Sequence, residues 1–216
     1  LSIATLIFFQ RRMNNTYNFS RSEFLSNMLT KNFLVFLFSF FVIIDSYADK
    51  TDPVIRFSSL SIENGLSQST VYDIAQDKKG NLWIATADGL NKYDGYTFTV
   101  YRHQQHNQAS IQSDHIRSLF VDNESNLWIG TASGISQYDS KKDVFKPYII
   151  NAQINDIIQI TDSVLYVATS NGLYAFSKNT TKYSPLTIEN SLNQSCQSLA
   201  KFNDLLFVGT TNGLYM

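Results

Sequence analysis

Short apolar runs separated by clusters of turn residues recur along most of the chain, and they predict β-strands. Residues 70–101 contain four such runs, rich in β-branched, aromatic and aliphatic residues: Thr70–Gln76, Leu82–Thr86, Leu90–Tyr93 and Thr97–Tyr101. The intervening residues 77–81, 87–89 and 94–95 are mostly Asp, Asn, Gly and Lys, which favour tight turns. Four successive strands joined by tight turns predict one antiparallel sheet.

The same pattern returns about every 40 residues, which indicates an internal repeat. Each copy carries a large ring, a threonine three residues later and a glycine three residues after that. The four sets are Trp83, Thr86 and Gly89; Trp128, Thr131 and Gly134; Tyr166, Thr169 and Gly172; and Phe207, Thr210 and Gly213. A period near 40 made of short strands is typical of β-propeller blades, here spanning about 70–101, 115–148, 153–187 and 196–216.

The residue types at the repeated positions fit sheets that stack on one another. The ring fills the gap between adjacent blades, and the small residue before each threonine (Ala85, Gly130, Ala168 or Gly209) allows close approach. The repeated glycine suits a hairpin position with positive φ. Strands that are apolar on both faces agree with blades covered on both sides.

The sequence therefore predicts an all-β chain, a β-propeller of four-stranded antiparallel blades. About three and a half blades are expected, and seven is our expectation for the complete ring. Residues 54–60 form a further predicted strand without partners in the first blade, and we expect them to be an outer strand that closes the last blade of the ring. That blade would lie after Met216, so the chain is predicted to be a fragment.

The N-terminal segment has the order of a secretory signal peptide. Lys31 precedes an uncharged run at 33–44, and the small residues Ser46 and Ala48 follow it. The run rises only about 18 Å as a helix, which is too short for a hydrocarbon core of about 30 Å. We expect residues 28–48 to be a signal peptide cleaved between Ala48 and Asp49, with an uncleaved signal anchor as the alternative. Residues 1–27 would be an unstructured upstream extension, and 49–216 the partial propeller.

Composition narrows the classes of function. Hydrophobic residues make up 44% of the chain and charged residues 16%, against about 25% charged in an average domain, so a packed core is expected and disorder is excluded for most of the chain. The net charge of −1 gives no reason to expect a nucleic-acid partner. One cysteine excludes an intrachain disulfide, and three histidines offer little for a metal centre. We expect no cofactor, no metal and no catalytic residue.

Four polar residues share one position in the first strand of each repeat: Asp73, Ser118, Asp156 and Ser198. Because the inner strands of a propeller line its central channel, they are candidate ligand contacts, although polar groups of the channel wall that simply meet water are the favoured interpretation. Asp77 and Asp122 open the first turn of their repeats and are expected to accept backbone N–H bonds there.

The remaining reactive side chains carry little signal. His103, His106 and His115 lie in or beside the long connection between the first two repeats, where solvated loop residues are expected rather than metal ligands. Cys196 aligns with Val71, Ile116 and Ile154, so it is expected to replace an aliphatic core residue.

The segment Asn64–Asp94 and the shorter Asp122–Asp139 closely resemble the two-component regulator propeller repeat, with Asn-Leu-Trp-Ile followed by Thr-Ala-x-Gly in each. The third and fourth copies depart from it, with Tyr166 and Phe207 in place of Trp. The resemblance implies a signal peptide or anchor, a periplasmic propeller array, often a three-Tyr domain, a membrane helix and a cytoplasmic histidine kinase, hybrid kinase or diguanylate cyclase.

The resemblance thus implies an extracytoplasmic ligand-sensing domain on the outer side of the inner membrane, within a membrane-bound two-component or cyclic-di-GMP signalling protein. Its partner would be a small molecule, an oligosaccharide or a periplasmic protein, together with the remainder of its own chain, as a homodimer at full length. This chain alone would catalyse nothing. The alternatives are a secreted propeller enzyme such as a lyase or glycoside hydrolase, and a protein-interaction propeller.

Overall fold

A computed structural model describes residues 55–187 and 194–216. The predicted signal segment, its Ala48–Asp49 cleavage site and the upstream extension lie outside these residues. Among the described residues, no helix is long and apolar enough to cross a membrane.

The strands form four separate antiparallel sheets, each built in chain order. The first contains β1 (Val71–Gln76), β2 (Leu82–Thr86), β3 (Gly89–Tyr93) and β4 (Phe98–Tyr101). The other sheets contain β5 (Ile116–Val121), β6 (Leu127–Thr131), β7 (Gly134–Asp139) and β8 (Val144–Ile149); β9 (Ile154–Thr161), β10 (Val164–Thr169), β11 (Gly172–Ser177) and β12 (Tyr183–Leu186); and β13 (Cys196–Phe202), β14 (Leu205–Thr210) and β15 (Gly213–Tyr215).

The sheets are the blades of a β-propeller. The first strand of each sheet contacts the first strand of the next, so that β1, β5, β9 and β13 form the inner edge. The described residues therefore provide three complete blades (blades 1 to 3) and three strands of blade 4. The predicted all-β propeller of four-stranded antiparallel blades is confirmed.

The segment before blade 1 contains no strand in the described part of the chain. Residues 55–60 are exposed and unassigned, and a single 3-10 turn follows at Ile62–Asn64, capped by the Ser61 hydroxyl. None of the strands in the described residues pairs with this segment, so its role as a closing outer strand stays a prediction.

The repeated rings lie between blades, as their position predicted. Trp83 is fully buried and meets Tyr138 of blade 2 edge-on, with ring centroids 4.7 Å apart. Trp128 repeats this contact with Phe176 of blade 3 at 5.5 Å. Tyr166 packs in the next cluster, beside Val208 of blade 4. Each boundary between blades is thus a small aromatic and aliphatic core.

The repeated threonine and glycine form the same hairpin four times. The threonine hydroxyl donates to the glycine carbonyl at 2.8–2.9 Å and accepts the N–H two residues after the threonine at 3.1–3.2 Å. The glycines have φ values of 112°, 145°, 126° and 139° at Gly89, Gly134, Gly172 and Gly213. The predicted positive φ is confirmed, and a β-carbon would strain all four turns.

The small residue before the threonine permits the close approach that the sequence predicted. A β-carbon added at Gly130 would lie 2.7 Å from Cγ2 of Ile154, in the inner strand of blade 3. The equivalent residue in blades 1 and 3 is alanine, fully buried in both places. This position therefore sets the spacing between neighbouring inner strands.

Replacing Gly134 and Gly172 separately by alanine should distinguish strain from crowding. Both residues have positive φ, which costs an alanine on the order of 1–2 kcal/mol. The new methyl group at position 134 also meets the Tyr148 carbonyl oxygen at 2.9 Å, whereas at position 172 nothing lies within 4 Å. We expect Gly134→Ala to lower the free energy of unfolding by about 1–3 kcal/mol more than Gly172→Ala, measured by urea denaturation. Equal losses would contradict the crowding.

Candidate functional site

The four channel-position residues follow a β-bulge at the start of each inner strand. The register against the second strand shifts between Val71 and Asp73, and equivalently before Ser118, Asp156 and Ser198. A bulge turns the next side chain away from its regular direction. In this chain it aims two of the four towards the following blade.

Asp73 and Asp156 each join their own blade to the next one. One carboxylate oxygen of Asp73 accepts the N–H of Ile74 at 2.8 Å, and the other accepts the N–H of Leu119 in blade 2 at 2.7 Å. Asp156 repeats this arrangement with Ile157 at 2.8 Å and Leu199 of blade 4 at 2.7 Å. Two carboxylates therefore provide acceptors for four backbone N–H groups, one in each inner strand.

This arrangement explains why the four positions alternate between aspartate and serine. The N–H of Leu119, which follows Ser118, is already bound by Asp73, and the N–H of Leu199, which follows Ser198, is bound by Asp156. A carboxylate at the two serine positions is therefore not required to satisfy these N–H groups. The Ser118 side chain is buried, and its hydroxyl has no hydrogen-bond partner among the described residues. The structure gives the aspartates a part in joining blades, and ligand binding by the four residues stays a prediction.

Two features of its surroundings raise the pKa of the Asp156 carboxyl. Burial raises the pKa of its carboxyl above the ordinary value of 3.8, and the like charge of Asp73 acts in the same direction. The N–H groups of Leu199 and Ile157 oppose this by binding the carboxylate. The net pKa is raised, so the inner edge holds one carboxyl that is easier to protonate than usual.

Asp77 anchors both the first turn of blade 1 and its tryptophan. One oxygen accepts the N–H groups of Lys79 and Asn81 at 2.8 and 3.0 Å. The other, Oδ2, accepts Nδ2 of Asn81 at 2.8 Å and Nε1 of Trp83 at 3.0 Å. The expected turn cap is present, and the bond to the indole is a contact that the sequence reasoning missed.

Asp122 makes the same set of bonds in blade 2. Its Oδ2 accepts Nδ2 of Asn126 at 3.1 Å and Nε1 of Trp128 at 2.9 Å. A sequence signal for this contact existed. The aspartate precedes the tryptophan by six residues in both copies, and copies whose ring lacks an N–H, at Tyr166 and Phe207, have no aspartate there.

A side chain from blade 3 completes the Asp122 site. Lys178 places its Nζ 3.1 Å from Oδ2 of Asp122, with side chains only 9% and 0% exposed, and 3.6 Å from a carboxylate oxygen of Glu124. Asn123 and Gln159 exchange two further hydrogen bonds across the same boundary, at 2.9 and 2.7 Å. The boundary between blades 2 and 3 is therefore closed at this face by an ion pair and an amide pair.

The equivalent face between blades 1 and 2 is open. A cleft of about 920 Å³, which we call the rim cleft, is lined among others by Asp77, Lys79, Trp83, Glu124, Tyr138 and Lys142. A tyrosine pair links the blades here instead: the hydroxyls of Tyr101 and Tyr138 donate to Asp143 at 2.7 and 2.6 Å. Burial and the bond to Asp143 raise the pKa of Tyr101 to about 12, while the two hydroxyls lower the pKa of Asp143.

The other candidates lie apart from the rim cleft. Nδ1 of His103 is 2.8 Å from the Ile111 carbonyl oxygen, and the His115 ring lies 5.2 Å from that of Tyr72. Residues 55–187 and 194–216 contain no group of three side chains that could hold a metal ion. Cys196 is fully buried beside Val208, at the core position expected, and burial raises the pKa of its thiol.

The fold defines the chain as a β-propeller protein, and comparison with known proteins identifies the repeat. Residues 65–88 and 110–133 match the sequence model of the two component regulator propeller family. Each segment begins at the residues leading into an inner strand and ends in the threonine–glycine hairpin described above. Two of the four blades therefore match the two component regulator propeller repeat over their inner strand, second strand and hairpin.

Three relatives illustrate the similarity. Histidine kinase P4 of Formosa agariphila is 49% identical over 79 residues, covering 37% of this chain and 6% of that protein. The extracellular domain of BT3049 from B. thetaiotaomicron, described as a hybrid two component system, is 26% identical with a TM-score of 0.66, covering 73% of this chain and 24% of that one. The extracellular domain of BT4673 from the same organism, described as a one component system, gives 22% identity, a TM-score of 0.63 and coverages of 74% and 23%.

These figures define how far each comparison reaches. The BT4673 match supports the fold alone at its identity, whereas the BT3049 match agrees with the family as well. This chain spans about a quarter of each solved relative and a much smaller part of the kinase. The chain therefore corresponds to a few blades of much longer proteins.

Removing the Asp73 carboxylate should loosen the joint between blades 1 and 2. In Asp73→Ala the N–H of Leu119 loses its acceptor in a partly buried place, which costs about 1–3 kcal/mol. Asp88→Ala is the matched control, because it breaks an exposed pair with Arg102 whose side chains are both 48% exposed, worth at most about 1 kcal/mol. Urea denaturation should show the larger loss for Asp73→Ala. Similar losses in the two variants would contradict the joint.

The carboxylates at the blade boundaries should make the protein sensitive to acid. For Asp122, burial raises the pKa, but bonds from Trp128, Asn126 and Lys178 outweigh it and hold the pKa below 3.8. The pKa values of Asp77 and Asp143 are lowered as well. The stability these groups contribute is present above pH 3.8 and is lost as pH falls through the folded pKa. The raised pKa of Asp156 acts in the opposite sense, with stability lost as pH rises through it.

The measurement is the free energy of unfolding between about pH 5 and pH 2. Asp122→Asn should flatten the acid loss by up to about 1.4 kcal/mol per pH unit, the effect of one proton. An unchanged slope in this variant would show that Asp122 is not protonated on unfolding in acid.

Proposed function

We propose that the chain is part of the extracytoplasmic ligand-sensing domain of a membrane-bound signalling protein of the two-component or cyclic-di-GMP type. The observation that carries the proposal is the match of two blades to the two component regulator propeller repeat. A relative with 49% identity over 79 residues is a histidine kinase, and BT3049, matched at 26% identity, is described as an extracellular domain. The uncharged segment at 33–44 supports export across the membrane.

The blade boundaries suggest how such a domain would work. A ligand changes a signalling equilibrium only if it binds one conformation more tightly than another. Contacts that bridge two blades, such as those from Asp73 to Leu119 and from Lys178 to Asp122, fix the angle between neighbouring sheets. A ligand bound across a boundary would bias that angle most where no ion pair already closes it. Among the described residues no ion pair joins blade 1 to blade 2, and the rim cleft lies at that boundary.

The output would come from a domain outside this sequence, through a phosphorelay or through synthesis of a cyclic dinucleotide. The propeller itself would supply recognition, and the full-length protein would act as a homodimer. The ligand would be a small molecule, an oligosaccharide or a periplasmic protein.

Reporter fusions at Met216 test the location on which the proposal depends. Alkaline phosphatase, which is active only after export, should be active when joined there, and β-galactosidase at the same point should be inactive. Deleting residues 28–48 should reverse both results, because these residues hold the predicted signal segment.

Active β-galactosidase at Met216 would contradict the extracytoplasmic location. The signalling part of the proposal is contradicted if the gene, read past Met216, ends after closure of one ring without encoding a membrane helix.

A further inference from the structure

The two complete blade boundaries differ at one carboxylate. Asp122 and Asp77 occupy the same repeat position and hold their tryptophans through Oδ2. Oδ2 of Asp122 also binds the ammonium group of Lys178, so it accepts three donors. Oδ2 of Asp77 accepts two, and among the described residues Asp77 forms no ion pair. One acceptor direction of Asp77 is therefore unused.

The missing donor can be traced to one position in the turn between third and fourth strands. In blade 3, Thr181 N–H bonds to the Ser177 carbonyl, and in blade 2, Asp143 N–H bonds to the Asp139 carbonyl, with φ of 56° at both Thr181 and Asp143. The residue after the accepting carbonyl is Lys178 in blade 3 and serine in blade 2. Ser140 has no ammonium group and a much shorter side chain than a lysine, and both Ser140 and Asp77 line the rim cleft.

The walls of the cleft also differ in charge. Glu124, which adds a second carboxylate beside Lys178, corresponds to Lys79 in blade 1. The cleft is lined by five lysines and three carboxylates. A ligand ammonium group bound to Asp77 would be repelled by the nearby Lys79 ammonium group. A ligand that also carries an anionic group facing the lysines would offset this repulsion.

We propose that the rim cleft binds a small zwitterionic ligand of the amino-acid class, with its primary ammonium group on Oδ2 of Asp77, in the place that Lys178 fills at Asp122, and its carboxylate among Lys79, Lys141 and Lys142. The partly exposed side chains of Val144 and Pro147 also line the cleft and supply apolar contact for the ligand's methylene groups. The Asp77 carboxyl is charged at neutral pH, since its pKa is lowered.

The inference gives the proposed sensing function a ligand chemistry and rests on that function for its signalling consequence. The binding itself does not depend on it. A ligand bound between blades 1 and 2 would form an ion pair with Asp77 equivalent to the one that Lys178 forms with Asp122 between blades 2 and 3.

The two tryptophans of the sequence provide a specific measurement. Each indole N–H gives one signal in a ¹⁵N–¹H spectrum, and Trp83 donates to Asp77 while Trp128 donates to Asp122. The probe is 6-aminohexanoate, titrated into the purified protein. We expect a saturable shift of the Trp83 signal with a midpoint on the order of millimolar, because the ligand is small, and no shift of the Trp128 signal.

Related probes separate the two charges. Butylammonium, which lacks the carboxylate, should bind at least about 3-fold more weakly, and hexanoate, which lacks the ammonium group, should leave the Trp83 signal unchanged. Equal binding of butylammonium and 6-aminohexanoate would overturn the part assigned to the lysines.

A matched pair of variants tests the site. Ser140→Lys places an ammonium group where Lys178 stands in the next blade, and it should abolish the Trp83 shift and raise the thermal midpoint. Ser140→Ala adds no ammonium group and should bind 6-aminohexanoate as the unmodified protein does. Lys178→Ala should create a second site, so that the probe then shifts the Trp128 signal.

The proposal is overturned if 6-aminohexanoate gives no saturable Trp83 shift in the unmodified protein, or if Ser140→Lys responds like Ser140→Ala. These results are independent of the reporter fusions. Binding without export would leave the site in place and remove the sensing function, whereas export without binding would do the reverse.

Discussion

The packing of each blade against the next is the interaction on which this structure depends. A blade is a thin sheet with apolar side chains on both faces, and it buries them only between neighbours. The rings at Trp83 and Trp128 each reach the third strand of the following blade, and Gly130 leaves just enough room for Ile154. The most constrained positions of the repeat are those that contact the next blade. The repeated residues therefore describe the boundary between two blades more than the single sheet.

Polar groups at the boundaries follow from the same packing. The inner strands are the edges of their sheets, so backbone N–H groups on the side away from the second strand have no partner in the sheet. An unpaired buried N–H costs about 1–3 kcal/mol. One carboxylate aimed across the boundary can bind an N–H on each side, so Asp73 and Asp156 suffice for four blades. From the sequence alone, the alternation of aspartate and serine looks like an unconstrained position in the channel wall. The structure shows that the position alternates because each aspartate binds N–H groups in two neighbouring blades.

The local features of the fold were predictable because they depend on residues close together in the chain. The ring, threonine and glycine lie within six residues, and the hairpin they form is repeated in all four copies. The hydrogen-bond partner of Asp73 is 46 residues away, and the direction of the Asp73 side chain is set by a bulge that no residue type predicts. The rim cleft could not be predicted for a related reason. It depends on one turn position, which is Ser140 in blade 2 and Lys178 in blade 3, and the effect of that residue depends on which side chains the turn faces.

Repetition also indicates where a specific function can reside. Positions kept in every copy are explained by packing, since each boundary needs a ring, a small residue and a turn. Recognition of one ligand at one place requires a position that breaks the repeat, because identical boundaries would offer identical sites. Between blades 2 and 3, the Lys178 ammonium group neutralises Asp122 within the chain. Between blades 1 and 2, the corresponding carboxylate keeps its hydrogen bonds to the tryptophan and turn but has no ion-pair partner among the described residues. A site with formed geometry and an incomplete charge balance is prepared to bind without rearranging the blade, and this is the kind of site through which a repeat fold acquires specificity.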